Sequence, residues 1–327
     1  MSSRLPEIKF FSGRSNNELA SKIADANGFE ISDVKFTDFA NGEMKVKLNE
    51  SVRGDDVYIL QTTDPTNPDK CMMELFIMAH TAKRASAKRI TAVIPYIYGS
   101  RQDRKTESRS PITIQLVGQL LRASGVDRII TVSLHNQASV AAFGEILVDN
   151  LTSSYIFYPA IEHLFKDKES MIVVSPDAGG VPRAKAYANR FNVELGFAYK
   201  SRPKENESRV LAFVGDVEDR DVVIVDDIID TAGTLCSIAN QAKERGAKNI
   251  YVCATHAILS GNALKNINDS AITKLFVSDS IEHKKLPDKF SVVTLGDLLC
   301  KTIKAVNADE SVGALFEKHW QNIFKAL

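Results

Sequence analysis

Cysteine and tryptophan are scarce in this sequence of 327 residues, which contains four cysteines and one tryptophan. The cysteines are far apart and form no C-x-x-C pair, which argues against a zinc ribbon or a scaffold held by disulfides. We therefore expect buried thiols in a reducing compartment. The cysteines are Cys71, Cys236, Cys253 and Cys300.

The sequence also lacks an excess of charge of either sign, since acidic and basic residues number 41 each. Without a global basic field for nucleic acid, any anion must be bound by local clusters. The N-terminus lacks the apolar core of a signal peptide, and no apolar run reaches the length of a membrane span. We therefore expect a cytoplasmic protein that binds neither nucleic acid nor a membrane.

Short apolar runs alternate with helical patterns along the chain, whose length suits two domains. Continuous apolar runs are typical of strands covered on both faces, and they predict a mostly parallel sheet. Gly28, Gly125 and Gly246 fit helix ends, where a left-handed residue is needed. The predicted strands are 57–60, 90–94, 128–132, 171–174 and 222–225, and the predicted helices are about 17–27, 72–85, 112–124, 182–191 and 234–245.

Two segments in the first half of the chain each resemble a segment in the second half. Residues 56–60 resemble 221–225, and residues 82–90 resemble 242–250, in the same order of strand, loop, helix, turn and strand. Any two α/β units look somewhat alike, but the matching order and spacing favour an internal duplication. We predict an α/β fold of two stacked, doubly wound domains, 1–152 and 153–327. Ligands of such sheets bind beyond the carboxyl ends of the strands.

The strongest chemical signal follows the apolar run at 222–225. Asp226 and Asp227 are adjacent carboxylates, and the small residues after them open a helix. Backbone N–H groups and hydroxyls at a helix N-terminus bind phosphate, whereas carboxylates bind sugar hydroxyls or the water shell of a metal. An ordinary capped turn does not explain an acidic pair after so apolar a strand. The predicted ribose-phosphate site comprises Asp226, Asp227, Asp230, Thr231, Ala232, Gly233 and Thr234.

This segment resembles the ribose-phosphate loop of the type I phosphoribosyltransferase fold, and the whole chain is similar to the ribose-phosphate pyrophosphokinase family. The matches run from 11–13 to 310–312 and include 51–57, 175–180 and 214–217. The resemblance implies transfer of the β,γ-diphosphate of ATP to the anomeric hydroxyl of ribose 5-phosphate, with Mg²⁺ as cofactor. It also implies a homo-oligomer that is built from dimers and reaches a hexamer.

The resemblance also implies an ATP site made of two loops. One matches the adenine-binding loop of the family, with Phe39 on the base, although its Asn-Gly pair is by itself a hairpin signal. The other follows a strand end and carries cations that suit a polyphosphate, led by Arg101. The predicted ATP-binding residues are Phe39, Asn41, Gly42, Glu43, Arg101, Gln102, Asp103 and Lys105.

Metal ligands and catalytic residues are assigned by the same resemblance. His135 and Asp177 each follow an apolar run and match the family's metal-associated residues. Mg²⁺ needs few protein ligands because it keeps waters and binds phosphates. Lys200 and Arg202 match the catalytic cations of a lid, and the polar stretch at 203–209 has loop composition.

Departures from the family pattern around His135 leave other functions open. Ser133 stands where the family has Asp, and the segment 136–142 is altered. One alternative is the same transfer to a modified acceptor such as ADP-ribose, and another is a non-catalytic regulatory homologue. A phosphoribosyltransferase would not need Phe39 or Arg101. The altered segment also predicts weak or absent inhibition by ADP at the family's regulatory site.

Overall fold

The computed structural model describes residues 6–26, 28–162, 169–204 and 207–317, and among these the side chains outside 199–212. The described residues form two compact units. Unit 1 contains those up to Tyr155, Ser280–Glu282 and those from Thr294 onward, and unit 2 contains Ile156–Asp279 and His283–Val293. Each unit is built on a largely parallel sheet with helices, which confirms the predicted α/β class.

Unit 1 contains a five-stranded parallel sheet. Its elements up to Tyr155 are β1 (Ile8–Ser12), α1 (Asn17–Asp25), β2 (Val34–Asp38), β3 (Met44–Leu48), β4 (Asp56–Leu60), α2 (Pro68–Arg84), β5 (Arg89–Ile94), α3 (Thr113–Ser124), β6 (Arg128–Val132), a 3-10 turn (Gln137–Phe143) and β7 (Leu147–Leu151). The sheet order is β1, β4, β5, β6, β7, while β2 and β3 form a separate antiparallel hairpin. Phe10 of β1 also pairs with Ile31, on the side away from β4. The winding therefore reverses between β1 and β4.

Unit 2 contains a seven-stranded sheet. After α4 (Ser154–Glu162), its elements are β8 (Met171–Ser175), α5 (Val181–Phe191), β9 (Glu194–Lys204), β10 (Glu207–Val214), β11 (Asp221–Ile229), α6 (Gly233–Glu244), β12 (Ile250–Ala257), α7 (Ala263–Asp269), β13 (Lys274–Ser278) and β14 (Phe290–Val293). The order is β10, β9, β8, β11, β12, β13, β14, and β10 is the antiparallel strand. The winding reverses between β8 and β11, and doubly wound sheets bind ligands at such a reversal.

The predicted strands and helices are confirmed, with ends that differ by a few residues. Alternate residues of β8 and β11 pack against α6 on one face of the sheet, and those between them are also buried, as continuous apolar runs require. Gly28, Gly125 and Gly246 have φ angles of 69°, 106° and 91°, as expected at helix ends. The structure begins α2 four residues before the predicted start, with Pro68 in its first turn, a common place for proline.

The C-terminal helix α8 (Gly296–Asn307) lies with unit 1, whereas the sequence assigned all of 153–327 to one domain. Gly296 approaches the backbone of Lys22 on α1 so closely that a Cβ would lie 3.1 Å from its carbonyl oxygen. Asn307 donates hydrogen bonds to the Pro6 carbonyl and the Asp56 carboxylate. These contacts join α8 to unit 1, and the division into evolutionary domains at residue 152 stays a prediction.

All four cysteines are buried and form no disulfide, which confirms the expectation of buried thiols. Burial raises the pKa of the Cys236 thiol and of the Cys71 thiol above the usual value. Among the described residues, none of the helices is long and apolar enough to span a membrane.

Candidate active site

The acidic pair lies within β11, two residues beyond its last pairing with β8. Asp226 pairs with Ala254 of β12, and the strand continues to Ile229 because β12 runs beside it to Ala257. The expectation that the strand ends before the carboxylates was therefore wrong. Asp227 is 3% exposed, and its backbone N–H donates to the Asp226 carboxylate at 2.8 Å. Burial and the neighbouring carboxylate raise the pKa of Asp226.

Arg183 in the first turn of α5 faces this pair. Its guanidinium lies 3.2 Å from the Asp227 carboxylate and 3.5 Å from that of Asp226. The positive charge opposes the rise in the pKa of Asp226. One cation therefore compensates part of the charge of two crowded carboxylates.

The loop after β11 leads directly into the N-terminus of α6. Ala232 precedes α6 in the left-handed conformation, with φ 61° and ψ 0°, and its side chain cannot cap the helix. Gly233 is exposed and has open space where a Cβ would stand. N–H groups of the first helical turn have no partner within the helix, so they favour a phosphate.

The same loop is held from outside by the segment before and within α7. Asn266 donates from its side-chain amide to the Thr231 carbonyl at 3.1 Å, and Ser260 donates its backbone N–H to the Asp230 carbonyl at 3.1 Å. These bonds fix the backbone on either side of Thr231. The loop is therefore shaped before any ligand arrives.

Asp177 follows β8 at the same end of the sheet, since β8 and β11 are neighbouring parallel strands. Its carboxylate accepts the Gly180 N–H at 2.8 Å, and its carbonyl accepts the Ser175 hydroxyl at 2.7 Å. Asp177 is exposed, in a turn that leads into α5. Unit 2 therefore brings together Asp177, Arg183, the acidic pair and the loop before α6.

In unit 1 the Arg101 loop is tied to the segment after His135. The half-buried Asp103 accepts a hydrogen bond from Ser139 at 3.3 Å, and Gln102 contacts Thr113 through its side chain. Arg101, Gln102 and Lys105 are exposed. Asp103 and Gln102 therefore brace the loop, while the exposed cations are accessible to a ligand.

His135 is exposed beyond β6, and Ser133, two residues before it, is held by hydrogen bonds to Ser153. Ser133 has φ 48°, and its hydroxyl bonds to Ser153, whose backbone N–H donates back to it. Asn136 caps the 3-10 turn by accepting the Ala138 N–H at 3.0 Å. Ser133 and Asn136 therefore shape the backbone on both sides of His135.

Phe39 stands at the tip of the β2–β3 hairpin. The tip is a tight turn in which Phe39 donates to the Glu43 carbonyl at 2.8 Å and Gly42 donates to the Phe39 carbonyl at 2.9 Å. Glu43 also donates its N–H to the Asn41 side chain at 3.1 Å. The Phe39 side chain is 49% exposed, as a ring that stacks on a base would be.

Lys200 and Arg202 lie on β9, and their side chains are outside the described residues. The predicted loop at 203–209 was wrong for the backbone, because β9 continues to Lys204 and β10 begins at Glu207. Antiparallel pairing, such as Lys200 with Val210, joins backbone groups whatever the polarity of the side chains.

The predicted metal ligands fall in different units, His135 in unit 1 and Asp177 in unit 2. The described residues contain no group of three or more acidic, histidine or cysteine side chains that could hold a metal by themselves. Asp177 and the acidic pair supply the oxygen ligands that Mg²⁺ prefers, and Mg²⁺ takes its remaining ligands from water and phosphates. The residues present therefore fit Mg²⁺ that arrives with a substrate.

Sequence reasoning missed Arg183 and Asn266. A signal for Arg183 was available, because a cation in the first turn of a helix opposes the helix dipole and calls for an acidic partner. Asn266 carries no such signal, since its contact with Thr231 spans 35 residues of chain.

Comparison with known proteins decides the family. Residues 8–125 match the N-terminal domain of ribose phosphate pyrophosphokinase, and residues 199–317 match the phosphoribosyl synthetase-associated domain. The ribose-phosphate pyrophosphokinase of Thermosipho africanus is 44% identical to this chain, over 95% of this chain and 98% of that protein. This chain belongs to the ribose-phosphate pyrophosphokinase family. The enzyme of that name from Vibrio cholerae is 43% identical, over 95% of this chain and all of that protein.

A solved ribose-phosphate pyrophosphokinase relative has the same fold. The crystal structure of phosphoribosylpyrophosphate synthetase from Mycobacterium smegmatis matches with a TM-score of 0.85 and 35% identity. The match covers 93% of this chain and 99% of the Mycobacterium smegmatis chain. The family and the two-sheet fold that the sequence predicted are confirmed.

Proposed function

We propose that this chain transfers the β,γ-diphosphate of ATP to the anomeric hydroxyl of ribose 5-phosphate, giving phosphoribosyl diphosphate and AMP. The hydroxyl oxygen bonds to the β-phosphorus, the bond between that phosphorus and the α,β-bridging oxygen breaks, and AMP leaves with that oxygen. The observation that carries the proposal is the convergence of an acidic pair and an anion-binding helix N-terminus at the reversal of the unit 2 sheet. Family membership supports the same reaction.

Different unit 2 residues bind different parts of the acceptor, ribose 5-phosphate. The N–H groups at the start of α6 bind the 5-phosphate, and Asp226 and Asp227 accept hydrogen bonds from the ribose hydroxyls. Arg183 holds these carboxylates in the orientation that the sugar needs. Positioning of this kind is the main task of an enzyme that transfers phosphoryl groups.

The unit 1 residues hold the donor. Phe39 stacks on adenine, Asn41 and Glu43 bind its edge, and Arg101 with Lys105 binds the phosphates. Mg²⁺, when bound, neutralises phosphate charge during the transfer. Lys200 and Arg202 donate to the transferring group, which needs no covalent attachment to the chain.

Product analysis tests the reaction. The chain is incubated with ATP and ribose 5-phosphate, with and without Mg²⁺, and phosphorus NMR identifies the products. We expect AMP and phosphoribosyl diphosphate only with the metal. ADP and a ribose bisphosphate would contradict the proposed transfer.

The same assay addresses the acceptor and the alternatives. ADP-ribose in place of ribose 5-phosphate tests a modified acceptor, because the N–H groups of α6 must then accommodate a diphosphate that carries adenosine. Absence of any product with folded protein would favour the regulatory homologue. The homo-oligomer and the weak or absent inhibition by ADP stay predictions.

A further inference from the structure

A buried carboxylate holds an arginine at the reversal of the unit 1 sheet. Glu74 of α2 is 2% exposed. It accepts hydrogen bonds from the backbone N–H of Arg14 at 2.7 Å and from its Nε at 2.6 Å. Gln61, which follows β4, donates to the same carboxylate at 2.9 Å. Gly13 leaves room for this arrangement, because a side chain there would overlap the Gln61 amide.

The other end of the Arg14 guanidinium holds the β2–β3 hairpin. Its two terminal nitrogens donate to the two oxygens of Asp38, at 2.7 and 3.1 Å. Its carbon also lies 4.9 Å from the centre of the Phe36 ring. Arg14 lowers the pKa of the Asp38 carboxyl. A bidentate pair of this kind fixes direction as well as distance.

Because Asp38 lies next to the hairpin tip, its pair with Arg14 can orient that tip. Asp38 ends β2, and Phe39 is the next residue. All residues from 38 to 43 are exposed, so burial does little to orient the tip. A two-stranded hairpin alone is only marginally stable. Arg14 therefore links the exposed tip to the buried interior of unit 1.

We propose that Arg14 is a positioning residue for the nucleotide: through Asp38 it holds the hairpin so that Phe39 is presented to adenine in one orientation. The proposal rests on the proposed role of Phe39 in the ATP site. It concerns the donor, so ribose 5-phosphate binding is independent of it.

Asp38→Ala tests the proposal without disturbing the buried group, since Arg14 keeps its bonds to Glu74. If Asp38 acted only through its charge, loss of a carboxylate near an anionic nucleotide would lower the KM for ATP. Loss of an anchor raises it. We expect a rise of about threefold or more, the scale of a well-formed exposed pair, with the KM for ribose 5-phosphate and the Tm nearly unchanged.

Three further single variants and one double variant complete the test. Glu30→Ala removes an exposed carboxylate of the same unit away from the hairpin and should change neither KM. Asp38→Glu should restore part of the ATP affinity. Arg14→Met should raise the KM for ATP, and adding Asp38→Ala to it should have a smaller effect than in the unchanged protein, because coupled residues are not additive and only the longer 3.7 Å contact of Asp38 with Lys70 remains to be lost.

The outcomes separate this inference from the proposed function. An unchanged or lower KM for ATP in Asp38→Ala, with phosphoribosyl diphosphate still formed, would overturn the positioning role alone. Equal rises in both KM values would also overturn it. Absence of the product in the unchanged protein would instead contradict the proposed function.

Discussion

Arg183 compensates charge at the acidic pair of unit 2. A cation in the first turn of α5 opposes the helix dipole, and two adjacent carboxylates in a buried strand repel each other. The contacts of Arg183 with Asp226 and Asp227 give the cation acidic partners and reduce the repulsion between the two carboxylates.

Arg183→Met should impair ribose 5-phosphate use more than ATP use. Removing one partner of a largely buried ion pair leaves the other charge uncompensated, and the pair then binds a proton more readily. We expect kcat/KM for ribose 5-phosphate to fall about tenfold or more, while the KM for ATP changes about twofold at most. Steady-state kinetics with each substrate varied will measure this. Arg183→Lys is the matched control, and equal losses for both substrates would argue against the role.

At the scale of elements, the short helix α7 supports the loop before α6, which is the proposed phosphate site. The side-chain amide of Asn266 in α7 donates a hydrogen bond to the Thr231 carbonyl. The backbone before α6 includes a left-handed alanine at Ala232, a conformation that costs a non-glycine residue roughly 1–2 kcal/mol. Bonds from neighbouring elements offset such local strain.

Asn266→Ala should therefore weaken ribose 5-phosphate binding. Loss of a hydrogen bond worth about 1 kcal/mol predicts a rise of about fivefold in its KM. Isothermal titration with ribose 5-phosphate would report the same change directly. The neighbouring Lys265→Ala removes an exposed side chain that pairs with Asp269, and it should leave the affinity unchanged. Equal effects of the two variants would show that α7 acts only through its general stability.

The β9–β10 hairpin carries the proposed catalytic cations. Lys200→Ala should lower kcat by about a hundredfold, the scale of one preorganised donor to the transition state, and alter ATP binding less. Rapid-quench measurement of a single turnover will separate chemistry from product release. Lys204→Ala on the same strand is the control. A higher KM with an unchanged kcat would reject the role in the transition state.

On the scale of the whole molecule, unit 1 contains elements from both the early and the late part of the chain. Helix α8 packs on α1, and a polar cluster joins it to the start of the unit 1 sheet. Asp56 is 1% exposed and forms an ion pair with Arg89, which also donates to the Val306 carbonyl at 2.9 Å. This cluster makes the C-terminal part of the chain a structural element of unit 1.

Arg89→Met should destabilise unit 1 and loosen α8. The variant leaves the buried Asp56 with only the Asn307 amide described above, and breaking a buried pair costs about 3 kcal/mol or more. Urea denaturation will measure the loss, and hydrogen exchange should show faster exchange in α8 than in the unchanged protein. Arg122→Met removes an exposed pair with Glu145 and should cost less than about 1 kcal/mol. Equal costs for both variants would contradict this account.

The local sequence determined the strands, most helices and the glycine-terminated helix ends, and it located the loop before α6 for which ribose-phosphate binding is proposed. Apolar periodicity and turn chemistry act over a few residues, so they can be recognised without the fold. Only the tertiary structure decided the partners of Asp227, Glu74 and Thr231, the place of α8 in unit 1, and the strand pairing at Lys200. Each of these depends on which segments lie side by side, and that is set by the packing of the whole chain, because side-chain contacts and backbone pairing join residues far apart in sequence.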